Sequence, residues 1–141
     1  MKRACTEEQV NIRKEEIINT VSKMFDEMDY QNISMKTISE KISIARSSLY
    51  CYYNSKEEIM LDVLKNDYIK FLKTIIEDFE KKDTIEELTD NITDAYMNNL
   101  RVMKIISLYL TDIEIHCSLG SLVNFKKDFG SLFVPLISTT F

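Results

Sequence analysis

Two glycines and one proline in 141 residues leave this chain few ways to reverse direction sharply. An all-β sandwich or barrel needs turn residues about every 8–12 positions. Helices joined by short polar connections need far fewer. The chain is 45% hydrophobic and 29% charged, so it can bury a core and still present a charged surface. The expectation is an all-α fold.

Apolar periodicity agrees. Ile17, Val21, Met24, Phe25 and Met28 recur at spacings of three and four, which predicts a first helix over about 7–28. Lys14, Glu15, Asn19, Ser22 and Lys23 then take its other faces. Asp29-Tyr30-Gln31-Asn32 reads as a polar turn. Ser34 is a good N-cap for a second helix ending near Ser43. A third runs from Ala45 or Arg46 to about Tyr53. Ser55 and Glu58 have capping-box spacing and open a fourth helix that reaches roughly Lys81.

Lys82-Asp83-Thr84 is the next break, with Thr84 or Asp83 capping a fifth helix that carries Ile85, Leu88, Ile92, Tyr96 and Met97. Met103, Ile106, Tyr109, Leu110 and Ile113 mark a sixth. Ser118-Leu119-Gly120-Ser121 reads as an interruption before a seventh helix with Leu122, Phe125 and Phe129. Gly130 and Pro135 leave the last segment unassigned. Ile105, Leu108, Leu119 and Val123 put apolar residues on more than one side of the last two helices, which predicts a homodimer through them.

The net charge of −5 is unevenly placed. Residues 1–56 sum to +1 and residues 57–141 to −6. Within residues 34–56 four cations (Lys36, Lys41, Arg46, Lys56) meet one acid, Glu40. Distribution matters more than the total for a nucleic-acid partner. Cys5, Cys51 and Cys117 have no paired spacing and read as thiols in a reducing compartment. The start MKRACTEEQV lacks the apolar stretch of a signal peptide, and no apolar run approaches the ~20 residues needed to span a bilayer. A cytoplasmic location without membrane association is expected.

Residues 34–58 concentrate the chemistry. Ile38, Ile42, Ile44 and Leu49 supply a small core. Lys36, Arg46, Ser47, Ser48, Tyr50, Tyr52 and Lys56 supply donors suited to a phosphate backbone. Two short helices, a tight turn and the capped start of a third are what a helix-turn-helix DNA reader needs. Helical geometry turns Leu49 and Tyr53 inward and leaves Ala45, Arg46, Ser48 and Tyr50 exposed. Arginine can grip guanine through two hydrogen bonds, and serine is permissive. Tyr50-Cys51-Tyr52-Tyr53 does not form a continuous platform for single-stranded bases, because its rings point to different sides.

The run from Ile44 to Glu58, with Leu49-Tyr50, then Tyr52-Tyr53, then Ser55-Lys56-Glu57, resembles the signature of the TetR family of bacterial transcriptional regulators. The resemblance covers residues 10 to 62. It implies phosphate contacts from Ser34, Lys36, Ser47, Tyr50, Tyr52 and Lys56, and base contacts from Arg46, Ser47, Ser48 and Cys51. Phosphate contacts position such a reader and base contacts specify its site. Ser43 departs from the pattern, standing where the family usually has glycine, so this turn is expected to be strained or differently shaped. The resemblance also implies a helical body that binds a small effector among its helices, shifts the fourth helix and respaces two readers. Such a body usually has two further helices, so this chain reads as truncated or unusually short.

The expected organisation is a DNA-binding domain over residues 1–57 and an effector-binding and dimerisation body, incomplete at its C-terminal end, over residues 58–141. Tyr68, Phe71, Tyr96, Met97, Leu100, Met103 and Tyr109 are candidate pocket residues, although each taken singly reads first as plain core. His116, the lone histidine, has no third ligand near Cys117 and reads as structural or solvent-facing. No catalytic constellation, metal site, cofactor site or glycine-rich phosphate loop is recognisable. The expectation is a homodimeric repressor bound to a double-stranded DNA operator and released by a small molecule of unknown identity. The alternative is a DNA-bound scaffold for another protein, without an effector. An enzyme has nothing specific behind it.

Overall fold

A computed structural model describes residues 6–81 and 84–140, and side chains as far as residue 131. Cys5, Lys82 and Asp83 lie outside the described residues. Every regular element among them is helical. The helices are α1 (Glu7–Glu27), α2 (Met35–Ile42), α3 (Arg46–Tyr50), α4 (Lys56–Lys81), α5 (Ile85–Asn98), α6 (Leu100–Lys104), α7 (Leu110–His116) and α8 (Leu119–Thr140). A 3₁₀ turn (Tyr30–Asn32) joins α1 to α2, and a π turn (Ile105–Tyr109) joins α6 to α7. The chain divides into two compact units, Met1–Val63 and Leu64–Phe141, with the division falling inside α4. None of the helices among the described residues is long and apolar enough to cross a membrane.

The first unit is organised by caps. Thr6 and Gln9 form a reciprocal capping box at the start of α1. Ser34 caps α2 in the same way, but with Thr37 as its partner rather than a glutamate or glutamine. At the far end of α2, Ser43 takes a left-handed conformation (φ 63°, ψ 43°) and the Ile44 amide bonds back to the Ser39 carbonyl. This is the closing geometry usually given to glycine. Serine adopts it at a cost of about 1–2 kcal/mol, so the strained of the two expected outcomes is the one observed.

Ile17, Val21, Met24 and Phe25 of α1 are buried, as are Ile33, Ile38, Leu49 and Tyr53. Ile59, Met60 and Val63 of α4 are buried in the same unit. Four expectations need correction. Met28 leaves the apolar stripe and sits exposed as the C-cap of α1, because the helix stops one residue earlier. Ser22 is buried rather than on an outer face, its hydroxyl satisfied by the Ile18 carbonyl at 2.8 Å. Tyr30 belongs to the core, since the 3₁₀ turn folds its ring inward, edge-on to Phe25. Helix α3 ends at Tyr50 rather than Tyr53, because the Tyr52 amide turns back to Leu49 in a tighter bond.

The second unit departs further from expectation. The predicted sixth helix is broken by the π turn, whose wider hydrogen-bonding pattern rephases the apolar face. Val102, Ile105 and Ile113 become the buried residues, while Met103, Ile106, Tyr109 and Leu110 are half-buried. On α5 the buried position is Ala95, and Ile85, Tyr96 and Met97 are exposed. Ser118 starts α8 instead of interrupting the chain: its hydroxyl accepts the Ser121 amide, so Leu119, Gly120 and Ser121 are helical. Asp67, buried on α4, receives two hydrogen bonds from Arg101, at 2.6 and 2.8 Å, and ties α6 to α4. The exposed Lys65–Asp128 pair and the Tyr68–Phe129 ring contact join α8 to α4.

Candidate nucleic-acid interface

In the first unit the N-terminal ends of α2 and α4 and the outer side of α3 border a shallow concavity of about 410 Å³. Ser34, Lys36, Arg46, Tyr50 and Lys56 all line it, with Asn54, Ser55 and Glu57. Five of the nine expected DNA-contacting residues are therefore brought together. Ser47, Ser48 and Cys51 are exposed along α3 and its end, outside the concavity, and Tyr52 is half-buried.

The local chemistry suits an anionic strand. Two helix N-termini carry amides without intrahelical partners and a partial positive charge. Lys36 and Arg46 are exposed beside them, and the Tyr50 phenol is 47% exposed. Ser34 has less freedom than its sequence position suggests, because its hydroxyl already accepts the Thr37 amide. The Cys51 thiol donates to the Ser47 carbonyl at 3.4 Å. Lys56 is half-buried: its ammonium donates to the Tyr30 carbonyl at 3.2 Å and lies 4.1 Å from the centre of the Tyr30 ring. Sequence reasoning missed Tyr30, and the signal was a lone aromatic inside an otherwise polar turn.

Behind this face, α3 is locked down. Leu49 is fully buried. The Tyr53 phenol donates to Asp62 at 2.7 Å, and Lys14 sits 5.1 Å from the centre of its ring. Burial first, then the neighbouring Asp62 carboxylate, push the Tyr53 phenol far above its ordinary range, so it stays a neutral donor. The arrangement holds a short helix rigidly with its polar side outward.

The expected effector residues are distributed differently. Phe71 packs against Tyr68 and Tyr96 at centroid distances of 5.9 and 5.1 Å, and Tyr68 meets Phe129 at 4.4 Å. Burial, then the nearby Tyr96, raise the Tyr68 pKa. Met97 and Leu100 are exposed, and Met103 and Tyr109 half-buried. His116 is exposed, with Nδ1 2.8 Å from the Asp112 carbonyl oxygen.

A capped helix, a left-handed turn and a short second helix with an outward polar side define a helix-turn-helix protein. Residues 17–63, about a third of the chain, match the pattern described as bacterial regulatory proteins of the tetR family. Among curated relatives, an uncharacterized HTH-type transcriptional regulator, YxbF, of Bacillus subtilis is 36% identical over 62 residues, 44% of this chain and 16% of that protein. IcaR of Staphylococcus epidermidis, named as the HTH-type negative transcriptional regulator of the biofilm operon icaADBC, is 28% identical over 75 residues, 53% of this chain and 40% of that protein. The chain spans about half the length, or less, of the first of these relatives. The solved structure of the fatty acid degradation regulator FadR from Bacillus halodurans superposes on 97% of this chain and 69% of its own, with a TM-score of 0.61 at 16% identity. That likeness extends the shared all-α fold to the body.

Proposed function

We propose that the chain is a DNA-binding transcriptional regulator in which residues 1–57 read the operator. The observation that carries this is the gathering of Ser34, Lys36, Arg46, Tyr50 and Lys56 around one concavity on the outer side of α3. Ser47, Ser48 and Cys51 extend the polar side of the same helix. In this reading Arg46, Ser47, Ser48 and Cys51 meet bases, and Ser34, Lys36, Ser47, Tyr50, Tyr52 and Lys56 meet phosphates. Fluorescence anisotropy of the protein on duplex DNA tests it. Affinity should fall steeply as salt rises, because each neutralised phosphate releases counterions. Absence of duplex binding at low salt would defeat the reading.

The protein acts as a cytoplasmic homodimeric repressor released by a small molecule. The negative role is suggested by IcaR, which is named as a negative transcriptional regulator. Dimerisation through residues 58–141 is supported by the exposure of Leu108, Leu119 and Val123, and two linked readers gain avidity over one. Sedimentation at tens of micromolar should show a dimer, and a monomer alone would contradict it. Effector control acts through α4, which carries residues of both compact units. A ligand can shift operator affinity only by binding two states of the body unequally.

A second reading, a DNA-bound scaffold without an effector, is favoured by the ring-on-ring packing of Tyr68, Phe71 and Tyr96. Tyr96→Ala or Met103→Ala separates the two. Under effector control each changes ligand response more than DNA affinity; as core residues they lower the melting temperature and leave no ligand response to change.

A further inference from the structure

The DNA-binding reading gives Lys56 one task, to reach a phosphate. The structure also gives it a fixed seat. Its ammonium lies over the face of the Tyr30 ring at 4.1 Å and donates to the Tyr30 carbonyl at 3.2 Å. Tyr30 is itself enclosed: it is buried in the 3₁₀ turn, with its ring edge-on to Phe25 of α1. A cation over an aromatic face is held electrostatically without using up an acceptor. An ammonium has three donors, and the Tyr30 carbonyl takes one of them. Lys56 also lines the concavity shared by Ser34, Lys36, Arg46 and Tyr50. A lysine stem is long and flexible, and immobilising it on a partner ordinarily costs rotamer entropy. Here that ordering precedes any ligand.

We propose that Tyr30 is a positioning residue for DNA binding: its buried ring and carbonyl pre-place the Lys56 ammonium for a backbone phosphate. The inference rests on the DNA-binding reading of this face. Tyr30 acts through Lys56 and touches no DNA. The bland alternative is a structural tie between the α1–α2 turn and the start of α4, which would matter for folding and not for binding.

A double-mutant cycle on a long mixed-sequence duplex separates them. Tyr30→Phe keeps the ring and the carbonyl and should bind as the wild type does. Tyr30→Leu removes the ring and should weaken binding by about two- to tenfold. Lys56→Ala should weaken binding and make the salt slope shallower by about one unit. The Tyr30→Leu/Lys56→Ala pair should be no weaker than Lys56→Ala alone. Additive losses, or unchanged binding by a folded Tyr30→Leu variant, would overturn the proposal, as would an equal loss in Tyr30→Phe.

A DNA-free readout accompanies the cycle. In the wild-type protein the Lys56 ε-methylene protons should resonate upfield of the other lysines, shifted by the Tyr30 ring current. The shift should persist in Tyr30→Phe. If Tyr30→Leu fails to fold, that wild-type resonance decides: an unshifted position overturns the proposal. A shifted resonance in a protein that binds no duplex would instead overturn the DNA-binding reading, and the positioning role with it.

Discussion

Leu49 and Leu119 are the same side chain in opposite circumstances. Leu49, on the short α3, is 0% exposed; Leu119, at the start of α8, is 77% exposed. The contrast extends to their surroundings. In the first unit Ile17, Val21, Met24, Ile33, Ile38, Ile59, Met60 and Val63 are almost completely removed from solvent. In the second, Ile85, Met97, Leu100, Leu108 and Ile115 are exposed. Burial of a leucine-sized side chain is worth about 1.5–3 kcal/mol, and contiguous exposed apolar surface marks a site of association. The first unit satisfies its own apolar residues. The second is stabilised locally by particular ties, such as Asp67–Arg101, and leaves several large apolar side chains exposed.

The largest expected effect follows directly. Leu49→Ala should destabilise the first unit by about 2–5 kcal/mol, since a cavity is left beneath α3. Leu119→Ala should leave the thermal stability of a dilute monomer nearly unchanged and weaken self-association. Differential scanning calorimetry and sedimentation measure the two halves. Equal thermal losses would erase the contrast.

Next is the ion pair of the body. Arg101→Ala leaves the Asp67 carboxylate buried without the two hydrogen bonds it receives from Arg101, at 2.6 and 2.8 Å. A fully buried pair broken in this way costs about 3–5 kcal/mol. The Arg101 side chain is 27% exposed, so a loss of about 1–3 kcal/mol is expected after solvent screening. Hydrogen exchange should quicken in residues 64–116 and not around α1–α3. A uniform increase would mean that the two units do not open separately.

Tyr53 gives a pH test confined to the first unit. Its folded-state pKa is raised above the ordinary value of 10 by burial and by Asp62. The neutral phenol is therefore the form that folding favours. The stability it contributes is fully present below pH 10 and declines as pH rises towards the folded-state value. Tyr53→Phe removes this alkaline decline and costs about 1 kcal/mol at neutral pH, through the lost hydrogen bond to Asp62. Denaturant titrations from pH 7 to alkaline pH check both, and an unchanged alkaline slope would contradict the assignment.

The two units were also unequally legible in the sequence. In the first, local signals and tertiary packing agree. Ser34 caps α2, Leu49 turns inward, and Arg46, Ser48 and Tyr50 stay outside, as helical spacing requires; Tyr53 is buried too, although α3 ends before it. Tyr30 was missed because a 3₁₀ turn has no apolar period, so its ring was marked only as a lone aromatic among polar neighbours. In the second unit periodicity misled. The π turn rephases the face between Val102 and Ile113, and a wider turn leaves no distinctive residue pattern. Ile85 and Met97 follow the helical stripe yet are exposed, because periodicity shows that a face is apolar and not what covers it. Ser118 was read as a breaker when it is a cap, since serine serves both roles.

The smallest expected effect concerns Ser43. Ser43→Gly removes the left-handed strain but gives the unfolded chain more freedom. A net gain of about 0.5–1 kcal/mol is expected from the balance of those terms. Thermal melts measure it, and a loss would mean that the Ser43 side chain contributes a contact that outweighs its strain.

The direct test of the central claim, that the outer side of α3 reads DNA, is the response of Arg46→Ala to sequence. Two duplexes suffice: the best site recovered from a random-duplex selection with the wild-type protein, and a mixed-sequence control. Anisotropy titrations at several salt concentrations should show Arg46→Ala losing about 1–3 kcal/mol on the selected site and much less on the control, as expected of a base-reading arginine. Equal losses on both duplexes would make Arg46 a phosphate contact. Unchanged binding by a folded Arg46→Ala protein, together with unchanged binding by Lys56→Ala, would contradict the assignment of α3 as the reader.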